Sequence, residues 1–291
     1  MRIRIDPADF RLRPGARPRL RSRPTLIEPC YRSKEDYRQR LKTRIAELAE
    51  LQARLQAEAR SSLLLVLQGQ DASGKDSAIK HVLSGLNPQS CRVASFKPPT
   101  RDELQHDFLW RAVYALPKRG QIGIFNRSHY EEVLVVRVHP EILKAERLPV
   151  SSLRNLWSGR FRSIVEWERH LVRNGTRIVK VFLHISKDLQ RRRFLRRIEN
   201  PAKNWKMDPA DLRERRWWDA YERAYEDCLA ATGIREAPWH IVPADDKHTV
   251  RLILAQILLE ELRGLRLRPP RPDRAQRREL QAVRRKLSRA A

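Results

Sequence analysis

Residues 69–76, Gly-Gln-Asp-Ala-Ser-Gly-Lys-Asp, have the spacing of a phosphate-binding loop. In the pattern Gly-x4-Gly-Lys, backbone N–H groups and the N-terminus of the next helix face an anion, and the lysine reaches its oxygen atoms. The loop lies between a predicted strand and a predicted helix, as the motif requires. A glycine-rich turn without a ligand is the alternative. We predict phosphate contacts from Gly69, Ala72, Ser73, Gly74, Lys75, Asp76 and Ser77.

The loop departs from the usual pattern at two positions. Asp76 stands where nucleotide triphosphatases usually carry the Ser or Thr whose hydroxyl contacts Mg²⁺, and Ser77 comes one residue too late to replace it. Asp71 adds a carboxylate inside the loop. Because Mg²⁺ prefers oxygen ligands and shares its coordination sphere with phosphates, we predict that Asp71 holds Mg²⁺, or Mn²⁺ in its place.

A second polar cluster follows the apolar run at 122–125. Asn126 and Arg127 come first, and Glu131 and Glu132 lie one helical turn further on. Parallel strands deliver ligand-binding residues to their carboxyl edge, so Arg127 is predicted to neutralise phosphoryl oxygens. Asn126 replaces the Asp that normally ends such a strand, and Glu131 or Glu132 could supply the missing carboxylate. A surface pair between Arg127 and a neighbouring Glu is the alternative.

A basic helix at 190–197 breaks into a loop that carries Lys203, Asn204, Trp205 and Lys206. In phosphoryl transfer, such a hairpin can close over the donor, bring an arginine to the transferring group and exclude water. We therefore predict a lid over about residues 186–225. A solvated basic helix face is the alternative.

Several other polar and aromatic side chains are predicted to be structural. His129 and His139 each lack a partner at metal-ligand spacing, which favours core or surface positions. The aromatic residues near 220 have helical spacing and indicate packing; they are Trp217, Trp218, Tyr221 and Tyr225.

Alternating strands and helices predict the fold that positions these residues. Apolar runs indicate five strands, at 63–67, 92–96, 122–125, 177–185 and 239–242. Helical patterns cover 36–59, 76–86, 102–116, 128–139, 152–173, 187–199, 209–232 and 246–264. This order predicts an α/β fold, a phosphate-loop kinase-like parallel sheet of about five strands flanked by helices, with a helical lid.

The composition indicates a folded and strongly basic protein. Its 291 residues include 61 Lys plus Arg and 35 Asp plus Glu, a net charge of +26, and 41% are hydrophobic. Residues 1–24 read as a basic arm and 266–291 as a basic tail, around a kinase domain at 25–265 that stays basic without them. A basic body favours a polyanionic partner. Three scattered cysteines, no secretory signal and no membrane-length apolar run predict a cytoplasmic protein.

Taken together, these segments resemble polyphosphate kinase family 2, the polyphosphate:nucleotide phosphotransferases. The matching segments keep their order and spacing; they are 69–76, 97–111, 123–139, 184–206 and 237–252. The resemblance implies Mg²⁺-dependent transfer of a terminal phosphoryl group between inorganic polyphosphate and a nucleotide. It further implies roles for four residues: Asp71 as the metal carboxylate, Lys75 and Arg127 as the phosphate-binding pair, and Arg193 as the lid arginine.

The stretch Phe-Asn-Arg-Ser-His-Tyr-Glu-Glu at 125–132 is similar to the subgroup that accepts both AMP and ADP. Members that use one nucleoside diphosphate often carry Asp at the position of Asn126, so Glu131 becomes the candidate for a further metal ligand. The partners implied are polyphosphate, AMP, ADP and ATP, with no membrane and no nucleic acid as main partner. We also expect a homo-oligomer.

Two other functions stay open at this point. An ATP-dependent nucleoside monophosphate kinase would share the architecture, but the loop lacks the Ser or Thr after Lys75 and carries Asp71 in addition. A polyanion- or nucleic-acid-binding protein with a vestigial phosphate loop would depend on the basic ends. No helix-turn-helix, zinc-finger or RNA-recognition motif supports the second option.

Overall fold

A computed structural model describes residues 3–149, 153–202, 204, 208–270 and 272–289 of the chain. Its centre is a five-stranded parallel sheet with the strand order β2-β3-β1-β4-β5. The strands are β1 Ser62–Gln68, β2 Cys91–Ser95, β3 Ile122–Asn126, β4 Thr176–His184 and β5 Trp239–Pro243. The predicted α/β class and number of strands are confirmed.

Helices cover both faces of this sheet, as parallel strands require. Side-chain caps begin several of them: Ser33 accepts from the Asp36 amide at 3.2 Å, and Ser186 from the Leu189 amide at 3.1 Å. The described helices are α1 Lys34–Glu58, α2 Lys75–Val82, α3 Trp110–Tyr114, α4 Glu131–Val138, α5 Leu143–Glu146, α6 Leu156–Arg173, α7 Lys187–Glu199, α8 Pro209–Glu214, α9 Trp218–Thr232, α10 Lys247–Gly264 and α11 Arg274–Arg289.

Strand β1 joins two hydrophobic cores. Leu63, Leu65 and Leu67 pack on one face with α1, α2 and α10. Leu64 and Val66 pack on the other face with residues of β3, α4 and α9. Successive side chains of a strand point to opposite faces, so one continuous apolar run fills both layers.

Several predicted helices differ from the observed ones; the one predicted at 76–86, for example, ends at Val82. The pattern at 102–116 forms only a 3-10 turn and the short α3, because Asp107 accepts from the Leu109 amide at 2.9 Å and starts a new turn. The pattern at 209–232 is split into α8 and α9 by a 3-10 turn at Arg215–Trp217. Helix α4 begins at Glu131 rather than 128, since Arg127 has a φ of 61° that ends the strand in a sharp turn.

The described part of the N-terminal arm packs along the domain. Leu12 and Leu20 are buried, and the Leu12 amide donates to the Trp239 carbonyl at 2.8 Å. Arg17 pairs with Asp227 of α9 at 2.8 Å. At the other end of the chain, the described residues of α11 are exposed. None of the described helices combines the length and apolar character that a membrane span needs.

Candidate active site

The carboxyl ends of β1 and β3 lie side by side, with Leu67 paired to Asn126. The predicted phosphate loop follows β1 at this edge, and α2 begins at Lys75. Gly74 precedes the helix with a φ of 98°, a conformation that favours glycine. At Gly69, a Cβ atom would lie 2.7 Å from Ser73 Oγ and 2.9 Å from the Leu183 carbonyl oxygen. The two glycines of the motif are therefore required by the backbone itself.

Lys75 lies at the centre of the loop and is 8% exposed. Its Nζ donates to the Gly69 carbonyl at 2.7 Å, and to the Gln70 carbonyl and Ser73 Oγ at 3.3 Å each. Burial, and then the positive charge of Arg127, lower the pKa of Lys75 to about 8. The ammonium group is thus desolvated and has only neutral oxygen partners, so an anion at this position would be strongly favoured.

Arg127 bridges two carboxylates at the end of β3. Its Nη2 donates to Asp71 Oδ1 at 2.6 Å, and its Nη1 donates to Glu131 Oε2 at 3.2 Å. Burial alone would lower the pKa of Arg127, but Glu131 and Asp71 raise it above its ordinary value. The structure therefore brings together Asp71, Arg127 and Glu131. The pair with a Glu that we gave as an alternative is also present, within the site itself.

Asn126 and Asp76 contact each other beside the loop. Asn126 Nδ2 donates to Asp76 Oδ1 at 2.6 Å; because a carboxylate only accepts, this contact fixes which amide atom is which. The other atom, Asn126 Oδ1, is buried and has no hydrogen-bond partner among the described residues. A strand-end amide oxygen is thus left available at the phosphate loop.

Two candidate residues have side chains engaged elsewhere. Glu132 is buried and pairs with Arg111 at 2.7 Å, so Glu131 is the carboxylate at the loop. The Ser77 hydroxyl accepts from Arg251 of α10 at 2.8 Å. Both side chains tie the site to the surrounding helices.

Helix α7, which lies in the predicted lid, contacts the phosphate loop. Arg193 Nη1 donates to the Ala72 carbonyl at 2.7 Å, and its Nη2 donates to the Ala244 carbonyl at 3.3 Å. Burial lowers the pKa of Arg193 to about 10, with nearby arginines adding to the effect and Asp245 opposing it. Gln190 Nε2 donates to the Asp71 carbonyl at 3.0 Å. Within the predicted lid loop, Asn204 is exposed, whereas Lys203, Trp205 and Lys206 lie outside the described residues.

A pocket lies between the phosphate loop, the end of β3, α4 and residues of α7, α8 and α9. Tyr221 OH donates to Glu214 Oε2 at 2.8 Å, and His139 Nε2 lies 2.9 Å from the same oxygen. We interpreted the tyrosines as packing residues: Tyr225 is buried in the core and packs against Phe182, as predicted, and it also borders the pocket. Tyr221 is half-buried and lines the pocket. Other lining residues that the sequence analysis missed are Gln70, Gln190, Asp211, Glu214 and Arg215.

Of the missed residues, Glu214 shares a signal with the two tyrosines. Glu214 precedes Tyr221 by seven residues and Tyr225 by eleven. Such spacing is consistent with one face of a continuous helix. The 3-10 break at Arg215–Trp217 separates Glu214 from the two tyrosines, yet all three line the pocket. The pattern alone does not distinguish a helix face that lines a ligand pocket from one that contacts the core.

A second charged cluster lies inside the core, away from solvent. Lys180 Nζ donates to Glu168 Oε2 at 2.6 Å, and Tyr130 OH donates to Glu168 Oε1 at 2.7 Å. His129, beside this cluster, is buried as expected for a core histidine, and burial lowers its pKa to about 3, so that it is neutral. This cluster was not predicted from the sequence.

Comparisons with known proteins agree with this geometry. The family model Polyphosphate kinase 2 (PPK2) matches residues 31–268. An ADP-polyphosphate phosphotransferase from Rhodopseudomonas palustris is 50% identical, over 98% of this chain and 99% of the relative. An AMP/ADP-polyphosphate phosphotransferase from Meiothermus ruber is 45% identical, over 78% of this chain and 82% of the relative.

A solved structure supports the same relationship. The crystal structure of Polyphosphate Kinase 2 from Arthrobacter aurescens TC1 superposes with a TM-score of 0.84 and 38% identity, covering 96% of this chain and 97% of that one. The resemblance found in the sequence is therefore confirmed over both the loop and the whole fold. This chain belongs to the polyphosphate kinase 2 family of enzymes.

Proposed function

We propose that this enzyme transfers the terminal phosphoryl group of inorganic polyphosphate to AMP and ADP, with Mg²⁺ as cofactor. The family match and the names of the relatives support polyphosphate as donor. The reaction breaks the terminal P–O–P link of the polymer and forms a P–O bond to the nucleotide's last phosphate. Because the reaction exchanges one phosphoanhydride for another, positioning and charge neutralisation are the enzyme's main contributions.

The observation that carries the proposal is the meeting of three cationic groups at one sheet edge. Lys75, at the start of α2, donates to the Gly69 carbonyl of the phosphate loop, and Arg193 of α7 donates to the Ala72 carbonyl. Arg127 joins them from the end of β3. Three desolvated cations around one loop suit a transferring phosphoryl group, whose negative charge is spread over three oxygens.

Polyphosphate would change the partners of Arg127 most. Its guanidinium is now satisfied by Asp71 and Glu131. Phosphate oxygens can replace these carboxylates as bidentate acceptors. We propose that Arg127 turns toward the bound phosphate, which frees both carboxylates. The φ of 61° at Arg127 places its side chain at the mouth of the pocket for this exchange.

The carboxylate oxygens that Arg127 would release are suited to bind Mg²⁺. Among the described residues no three His, Cys, Asp or Glu side chains are grouped as a ready-made metal site. Mg²⁺, however, is usually held by one or two carboxylates together with substrate phosphates and waters. Asp71 and Glu131 would supply carboxylates, and the unpartnered Asn126 Oδ1 a neutral oxygen. Bound Mg²⁺ would neutralise phosphate oxygens in the donor and the acceptor.

We propose that the nucleotide enters the pocket beneath the lid. The pocket reaches from Asp71 and Arg127 to Tyr221 and Tyr225 on α9, whose rings offer a surface for a base. Acceptance of both AMP and ADP is supported by the Meiothermus relative and by Asn126 in place of Asp. Assembly into a homo-oligomer and a cytoplasmic location stay predictions.

The test is a donor-by-acceptor experiment on the purified full-length protein. Polyphosphate with Mg²⁺ is mixed with AMP or with ADP, and the nucleotides are separated by chromatography. We expect ADP and ATP from AMP, and ATP from ADP, with no product from Lys75→Ala. Transfer to AMP from ATP but not from polyphosphate would identify an ATP-dependent nucleoside monophosphate kinase instead. Omitting Mg²⁺, with and without Mn²⁺ in its place, tests the cofactor.

A further inference from the structure

Helix α11, Arg274–Arg289, is a strongly basic segment outside the catalytic domain. Its 16 residues include six Arg and one Lys against Glu279, a net charge of +6. Residues 274–288 are all exposed. Among the described residues, no carboxylate forms an ion pair with this helix. The family model matches residues 31–268, so α11 lies beyond the segment that the model covers.

The charge of α11 works against its own helical structure. A lone helix of this length is marginal in water. Like charges three or four residues apart, such as Arg274 with Arg277 and Arg278, destabilise it further. A bound polyanion would remove this repulsion and stabilise the helix. The helix is therefore suited to a ligand that carries many negative charges.

One face of α11 is apolar and narrow, and the other is basic and wider. Leu280, Val283 and Leu287 form an exposed apolar stripe of three aliphatic residues. The basic side chains cover a wider face. A membrane-surface helix usually adds aromatic or further aliphatic anchors to its basic face. The balance of charge over apolar area favours a soluble polyanion as the occupant.

We propose that α11 is a second binding segment for polyphosphate, which holds a distant part of the same polymer whose end lies in the phosphate loop. This inference rests on the proposed function, because it takes polyphosphate as the substrate. Each unit of the polymer carries negative charge, which complements the +6 of the helix. The polymer is thus bound at two places on one enzyme.

The point at which the tail leaves the domain sets the length of polymer required. Leu265 and Leu267 pack on the core beneath α1, and the Arg268 amide donates to Glu58 Oε1 at 3.4 Å. Glu58 ends α1 just before β1 begins, so the tail leaves near the amino edge of the sheet. The phosphate loop lies at the carboxyl edge, about 20 Å away along seven residues of β1. Only long chains can engage both places.

Binding at two places predicts a dependence on chain length. A chain held by α11 presents its end to the loop at a high effective concentration, which lowers the KM for long polyphosphate. The chemical step is unchanged, because α11 contributes nothing at the reacting phosphate. Short chains reach only the loop, and their KM is independent of α11.

The test uses full-length protein with four substitutions, R277Q/R278Q/R284Q/R285Q. The matched control, R277K/R278K/R284K/R285K, keeps the charge. We expect the Gln variant to raise the KM for long-chain polyphosphate about tenfold or more, with kcat and the KM for chains of a few phosphates unchanged. The log–log salt dependence of long-chain binding should become less steep by about three, given roughly 0.7 for each lost contact. The Lys variant should resemble the wild type.

Several results would overturn the inference. They are an unchanged long-chain KM in the Gln variant, an equal rise for short and long chains, or an equal loss in the Lys variant. Two other occupants are tested with L280S/V283S/L287S, anionic lipid vesicles and light scattering. Vesicle binding or self-association that depends on α11, without an effect on long-chain KM, would also overturn it. If the wild type used no polyphosphate of any length, the proposed function itself would fail.

Discussion

Two lysines are buried in the part of the chain that the structure describes, and their surroundings are opposite. Lys180 of β4 is fully buried and donates to the carboxylate of Glu168 at 2.6 Å, to Tyr130 OH at 3.1 Å and to the Thr232 carbonyl at 2.7 Å. Lys75 of the phosphate loop is nearly as buried but contacts only carbonyl and hydroxyl oxygens. One positive charge is compensated inside the protein, and the other is not.

The difference separates a structural charge from one that is available to a ligand. A buried charge is tolerated when it is paired and hydrogen-bonded, and a pair such as Lys180–Glu168 then behaves as part of the core. An uncompensated buried cation destabilises the free protein, and an anion that binds there relieves the cost. Arg193 resembles Lys75, since its partners are the carbonyls of Ala72 and Ala244. The neutral partners of Lys75 and Arg193 support the proposal that phosphate binds beside them.

The largest effect is expected on stability, from Lys180→Met. This change leaves Glu168 buried without its counter-ion, so we expect the free energy of unfolding to fall by about 3–5 kcal/mol. Denaturant titration of the wild type and the variant measures it. The double variant Lys180→Met/Glu168→Leu should recover most of the loss, because it removes both charges. A double variant as unstable as the single one would show that the pair is not what matters.

Lys75→Met should act in the opposite way. We expect polyphosphate-dependent transfer to fall by about 10²–10³-fold, the usual loss when one donor to a reacting oxyanion is removed. Stability in the absence of substrate should stay equal or increase, because a desolvated charge is replaced by an apolar chain of similar length. Initial rates and denaturant titration measure the two effects on one preparation. If Lys75→Met lowered the free energy of unfolding, Lys75 would be a stabilising charge like Lys180, and the proposed difference between the two lysines would be wrong.

Arg193→Ala should also lower transfer, by about 10²-fold, while the fold is retained. Arg193→Lys keeps the charge but loses the two-carbonyl contact with Ala72 and Ala244, and should recover part of the rate. The comparison separates two effects on the rate: the loss of positive charge near the transferring phosphoryl group, and the loss of the hydrogen bonds that hold α7 to the phosphate loop. Arg191→Ala, which removes exposed contacts with Asp188 within α7 and does not touch the phosphate loop, is a matched control. Equal losses in all three variants would indicate that the effect is not specific to Arg193.

Much of the site could be predicted from the sequence because its residues are adjacent along the chain. The loop from Gly69 to Asp76 is one continuous segment between strand and helix, and Arg127 follows a strand directly. Alternation of strands and helices then places both segments at one sheet edge without any further information. The same reasoning gave all five strands within one residue at each end.

What the sequence could not provide depends on contacts between distant segments. Lys180 stands in the middle of an apolar strand, and its partner Glu168 lies on the preceding helix, so neither position indicates a pair. Tyr221 and Glu214 lie at helical spacing, but only their contacts in the fold show that this face lines the pocket rather than the core. The choice between Glu131 and Glu132 likewise depended on Arg111, which takes Glu132 into the core.

The smallest of these effects concerns pH and follows from the pKa of Lys75, which burial lowers from 10.5 to about 8. Between these values the unfolded chain binds a proton that the folded protein has lost, so stability must rise with pH. At about 1.36 kcal/mol per pH unit, the wild type should gain about 2 kcal/mol over Lys75→Met between pH 8 and 9.5. The negative charges of Asp71, Glu131 and Asp76 oppose this lowering of the pKa, but burial outweighs them. If the free energy of unfolding changed with pH in the same way in both proteins, Lys75 would not be a desolvated cation. The lower rate of transfer in Lys75→Met would then need a different explanation.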